Sequence, residues 1–138
     1  MQIKSLDHIH IYSLHPDRAV EFWQRHFAAE KVMETKNNLH QAVSIVRVGG
    51  QHLAFSEFPP GLAPAEPPRV TAAAGETGTS PGGSGVMHLG INVADVHAAV
   101  AELAAAGVPV HLQPVLAYGT TSAYVEAPDG VLIELTQY

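Results

Sequence analysis

The residues Pro128-Asp129-Gly130-Val131-Leu132-Ile133-Glu134-Leu135-Thr136 read as a tight turn feeding a β-strand. Pro128 and Gly130 punctuate the turn, and the aliphatic run after it has strand character. Side chains alternate along a strand, so Val131, Ile133 and Leu135 take one face and Leu132, Glu134 and Thr136 the other. One carboxylate therefore sits among apolar neighbours. Burying a charge alone is costly, so Glu134 calls for a cation or a strong donor beside it.

The rest of the chain narrows what that partner is. With 138 residues the chain is large enough for one domain, or for two small modules sharing a core. Its 46% apolar and 14% charged residues describe a globular protein. A net charge of −6 without a basic cluster argues against a nucleic-acid partner. No apolar run reaches membrane-spanning length, and the N-terminus lacks a signal-peptide pattern. There is no cysteine, so a cytoplasmic location is the default and thiolate metal sites are excluded. Nine histidines leave metal binding through His and carboxylate open.

Ile3–Tyr12 reads as a strand, and Pro16-Asp17 starts a helix to about Ala29 with Val20, Trp23 and Phe27 on one side. Strands follow near Glu30–Thr35, Ala42–Val48 and His52–Phe58, with turns at Asn37-Asn38 and Gly49-Gly50. Residues 59–85 are dense in Pro, Gly, Ala, Ser and Thr and read as a linker or mobile cover. The pattern then restarts with a strand at Val86–Val93. A helix follows from the N-cap Asp95 to Ala106, with Gly107 as C-cap. Strands near Val108–Gln113, Thr121–Glu126 and Val131–Gln137 complete it.

The halves align at an offset of 80 residues: His8 on His88, Ile11 on Ile91, Gly50 on Gly130, Phe55 on Leu135. Such self-similarity indicates an internal duplication. The expected fold is α+β, with tandem βαβββ modules over 1–58 and 86–138 forming a curved mixed sheet around a shared cavity. If Ile9 and Ile11 pack on their helix, His8 and His10 face the other way, and so do His88 and Glu134 in the second module. Two histidines and a carboxylate form a facial set that leaves coordination positions open. Fe2+ suits it best, while Mn2+, Ni2+ or Zn2+ also fit.

The segments Leu6-Asp7-His8-Ile9, Met87-His88-Leu89-Gly90-Ile91-Asn92-Val93 and Tyr124–Leu135 resemble the vicinal oxygen chelate superfamily. That superfamily includes glyoxalase I, methylmalonyl-CoA epimerase, extradiol dioxygenases, fosfomycin-resistance enzymes and bleomycin-resistance proteins. The resemblance implies that His8, His88 and Glu134 bind a divalent metal. Glyoxalases and epimerases take a fourth ligand from the first module, but the position 80 residues before Glu134 is Ala54, with His52 nearby on the same face. Tyr124 matches an active-site tyrosine of extradiol enzymes, whereas Val115 stands near where they place a histidine.

The expected function is a metal-dependent, dioxygenase-like enzyme acting on a small oxygenated substrate. His10 and Tyr124 are the candidates to handle protons. The alternatives are a glyoxalase-like lyase or isomerase, and an antibiotic-binding resistance protein without turnover. A homodimer is expected, since two-module members of the superfamily usually pair. His15, His26, His40, His97 and His111 read as surface residues.

Overall fold

The structure, a computed structural model, describes residues 4–66 and 88–138. The start of the expected first strand, Val86 and Met87 of the fifth, and positions 67–85 of the expected linker lie outside the described residues. The chain divides into two compact units, Met1–Pro67 and Pro68–Tyr138.

In the first unit the order is β1 (His8–Tyr12), α1 (Pro16–Phe27), β2 (Glu30–Lys36), β3 (Ala42–Val48) and β4 (Gln51–Ser56). The strands form one mixed sheet in the order β1-β4-β3-β2, with β1 parallel to β4 and the other pairs antiparallel. Pro16 sits in the first turn of α1, where a missing N–H costs nothing, and the helix ends at Ala28 in the left-handed region, φ 50°. Ala19, Val20 and Trp23 form its buried stripe. They meet the sheet face that carries Leu53, Phe55 and Val46. Gly49 and Gly50 both take positive φ, the requirement of the tight hairpin between β3 and β4.

The second unit repeats the plan with β5 (Leu89–Asn92), α2 (Val96–Ala105), β6 (Val110–Ala117), β7 (Thr120–Ala127) and β8 (Val131–Gln137). Its sheet order is β5-β8-β7-β6, again with one parallel pair, β5 with β8. The Asp95 carboxylate accepts from the Ala98 N–H at 2.9 Å, capping α2. The helix lays Val96, Val100 and Leu103 on the face formed by Ile133, Leu135, Ala123 and Val125. Gly107 follows one residue after the C-cap Ala106, with φ 83°.

The expected α+β architecture of two βαβββ modules is thus observed, with two differences. Strand β6 continues beyond Gln113 to Ala117, through Pro114. It is an edge strand whose pairing with β7 shifts register between Leu112 and Val115, the setting in which proline is tolerated. The turn before β8 is a three-residue 3₁₀ turn, Pro128–Gly130, against two glycines in the first unit. The halves therefore align at 80 residues in β4 and β8, but at 79 in β3 and β7.

Trp23 is 1% exposed at the centre of the first core. Trp23→Ala is expected to cost about 3–5 kcal/mol, and Asp95→Ala about 1 kcal/mol, in urea unfolding. Equal, small effects would contradict this packing.

Candidate metal centre

Each unit turns one sheet face to its helix, and the opposite face carries the candidate polar side chains. In the second unit that other face carries Gly90, Asn92, Glu134, Thr136, Tyr124, Ser122 and Glu126, by the register of β5, β8 and β7. His88 precedes β5 and reaches the same place, its Nε2 lying 3.0 Å from Glu134 Oε2. Tyr124, directly opposite Glu134 on β7, donates its hydroxyl to Oε1 at 3.1 Å. The rings of His88 and Tyr124 meet edge-on with centroids 5.6 Å apart. His88 and Glu134 are each about three-quarters buried, at 24% and 22% side-chain exposure. The partner that Glu134 needed is this pair.

Burial is the main reason that the Tyr124 phenol is pushed up to about 12, with the Glu134 charge and the hydrogen bond to it adding to the effect. Tyr124 is therefore a hydrogen-bond donor at neutral pH. His88 Nδ1 is buried and has no hydrogen-bond partner among the described residues. Hydrogen bonding alone then favours the tautomer with its proton on Nε2, given to Glu134, and a bare lone pair on Nδ1. A neutral imidazole is the form that ligates metals. Adjacent donors about 2.1 Å from one octahedral ion stand roughly 3.0 Å apart. The separation of Nε2 and Oε2 suits both the hydrogen bond and an ion in place of its proton.

In the first unit His8, His10, Tyr12, His52, Ala54 and Ser56 share the face away from α1. His8 Nδ1 lies 2.7 Å from Asp7 Oδ2. A carboxylate on Nδ1 holds its proton there and leaves Nε2 as the free donor, the arrangement that orients metal-binding histidines. Asp7 is held below the usual carboxylate range first by its hydrogen bond to His8 and then by the charge of His8. Ser56 Oγ donates to the Glu57 carbonyl at 3.2 Å, so it accepts from His10 Nε2–H at 2.9 Å. Nδ1 is then the basic nitrogen of His10. Burial first, and the charge of His8 second, lower the His10 pKa and keep its ring neutral at pH 7.

Because β3 and β7 align at 79, Ile45 occupies the position of Tyr124 and Ala54 that of Glu134. The first unit thus offers histidines and no carboxylate at the equivalent site. His52 stands beside His8 in register. Among the described residues no three His, Cys, Asp or Glu side chains group closely enough to hold an ion. The second unit brings together two candidate ligands, His88 and Glu134, and the orienting Tyr124.

Four further residues belong with these faces. Asp7 and Ser56 orient His8 and His10, and the signal for Asp7 was its place directly before a ligand-like histidine. His111, expected at the surface, is 18% exposed and pairs through Nε2 with Glu126 Oε2 at 2.6 Å. The strand parity that Glu126 shares with Tyr124 and Glu134 was the readable clue.

Residues 5–135 match the family model of the Glyoxalase/Bleomycin resistance protein/Dioxygenase superfamily. The chain belongs to that superfamily. Its fold is similar to that of SMU.1112c (TM-score 0.73, 23% identity, covering 98% of this chain and 99% of that one). It is also similar to TnmS3, an antibiotic binding protein from Streptomyces sp. CB03234 (TM-score 0.71, 19% identity, 99% and 98% covered). A third is FosX, the fosfomycin resistance protein of Listeria monocytogenes, solved with Mn(II) and sulfate (TM-score 0.67, 17% identity, 99% and 94% covered). No curated protein matches the sequence. Superfamily membership brings together metalloenzymes and binding proteins, and no helix among the described residues is long and apolar enough to cross a membrane.

The Tyr124 phenol should ionise well above the usual tyrosine range, detected as the wild-type minus Tyr124→Phe difference in alkaline absorbance. Its folded pKa exceeds the unfolded value, so its stabilising contribution is complete below pH 10.0 and is lost as pH rises toward about 12. A Tyr124 transition near pH 10.0 would contradict its burial beside Glu134.

Proposed function

We propose that this protein is a divalent-metal-dependent enzyme whose ion is held by His8, His88 and Glu134, and whose substrate is a small molecule with two neighbouring oxygens. The observation that carries the reading is the pairing of His88 Nε2 with Glu134 Oε2 beside Tyr124. The superfamily match and the Asp7-oriented ring of His8 support it. The same two-histidine, one-carboxylate set favours Fe2+, with Mn2+, Ni2+ or Zn2+ as alternatives. When bound, the ion supplies Lewis-acid polarisation of the chelated oxygens.

The chain's own residues divide the remaining work. Tyr124 keeps its proton, so it donates a hydrogen bond to Glu134 or to a substrate oxygen. His10 is neutral with Nδ1 free, so it accepts a proton from substrate as a general base. Ala54 supplies no fourth ligand, which leaves an additional open position and favours dioxygenase-like chemistry over a lyase or isomerase. Sequestration of a small molecule without turnover is the second reading, supported by the fold shared with TnmS3. We further propose a homodimer. The exposed Val32 and Met33 on edge strand β2 and Leu116 on edge strand β6 support it.

The test is to load apoprotein anaerobically with Fe(II), Mn(II), Ni(II) or Zn(II), and to screen catechols, α-hydroxy ketones and thiol adducts with and without oxygen. His8→Ala, His88→Ala and Glu134→Ala should each lower metal content at least about tenfold at equal added metal. Tyr124→Phe should retain the metal. Full occupancy in Glu134→Ala would sink the assignment. Turnover best with Ni or Zn and indifferent to oxygen would replace the oxygenase by a lyase or isomerase. Ligand binding without metal or turnover would favour sequestration.

A further inference from the structure

The helix-covered face of the first sheet has an unused opening at its end. Beside the N-terminus of α1 lies a cavity of about 190 Å³ lined by Asp17, Glu34, Glu57, Ser44 and Phe55, with Pro16 and Ala42. Strand parity explains the cluster. Ser44 pairs in register with Glu34 on β2 and with Phe55 on β4, and Glu57 continues the Phe55 row one step further. Phe55 and Ser44 are buried, while the three carboxylates are exposed. The result is an acidic rim over a floor of one aromatic ring and one hydroxyl.

Ser44 is the informative member. It is 5% exposed, and its hydroxyl has no hydrogen-bond partner among the described residues, although it lines the cavity. The hydroxyl is not sealed in the core, so it opens to the cavity and is available to a guest. Lys31 reaches Glu34 at 3.5 Å, an exposed pair that adds little and yields readily. The positive end of α1 disfavours a cation at its tip, and Asp17 in the first turn offsets it.

A bare ion does not suit this cavity. Among the described residues no three acidic or histidine side chains close on one point as a metal site needs, and the space far exceeds that of an ion. Carboxylates spread around an elongated space suit a ligand with separated positive centres. The Phe55 floor suits the methylene chain between them. We propose that this cleft binds a small aliphatic diamine, one ammonium donating to Ser44 and a rim carboxylate and the other to the remaining rim. This site lies on the helix side of its sheet, opposite the face of His8 and His10, and is independent of the metal reading.

The test titrates putrescine into the full-length, isotope-labelled protein at low salt and follows the amide resonances of Glu34, Ala42, Ser44 and Glu57. Saturable shifts at these amides in the millimolar range are expected. Butylamine, with one charge, should bind at least about threefold more weakly, and Glu57→Gln should weaken putrescine about threefold. Ser44→Ala should weaken it about tenfold. The exposed Glu34→Gln and Glu57→Gln variants decide the matter if Ser44→Ala fails to fold. Shifts no larger than those from sodium chloride, unchanged affinity in the variants, or tighter binding of calcium at the same amides would overturn the proposal.

Discussion

The carboxylate of Glu134, held between the His88 imidazole and the Tyr124 hydroxyl, is the constraint on which the second unit turns. It stands on β8 between Ile133 and Leu135, both fully buried under α2. A slip of one residue in β8 would bring Glu134 against that apolar core and move two aliphatic side chains to the polar face. The cost of burying the charge without its partners therefore locks the register of β8 with β5 and β7. The same register sets Tyr124 directly opposite Glu134. Fold and site share one physical cause.

The duplicated scaffold makes the asymmetry of the halves legible. In both, the first strand runs parallel to the last and a helix covers one sheet face. The faces away from the helices have diverged. The first unit carries His8, His10 and His52 beside Ala54 and Ile45. The second carries His88, Glu134 and Tyr124 together. Residues that only pack have stayed alike, as with Phe55 and Leu135 or Leu53 and Ile133. The His88–Glu134 pair of the second unit and the three histidines on one face of the first are the side chains on which the proposed function rests.

Much of this is legible in the sequence alone, because period-two alternation and turn residues report directly on sheet faces. Alternation in Ile9, Ile11, Ile133 and Leu135 assigned the helix side, and so the opposite side to His8, His10 and Glu134. The 80-residue offset exposed the duplication, since β4 and β8 align at it without a gap. Other features depend on geometry that alternation does not encode. The extra residue in the Pro128–Gly130 turn shifts β7 by one against β3, so that Tyr124 corresponds to Ile45. Pro114 hid the continuation of β6, because an edge-strand bulge forgives a proline that a central strand does not. His111 looked like a surface residue until its cross-strand partner Glu126 was in place. Which nitrogen of His8 and His10 is free follows only from the acceptors Asp7 and Ser56.

The most direct test of the account is a crystal structure of the protein soaked in Mn(II), with anomalous data collected to locate the ion. Under the proposed function one anomalous peak is expected beside His88 Nε2 and Glu134 Oε2, with His8 as the proposed third protein ligand and Tyr124 still bonded to Glu134. An intact His88–Glu134 hydrogen bond with no peak beside it, at saturating metal, would contradict the central claim.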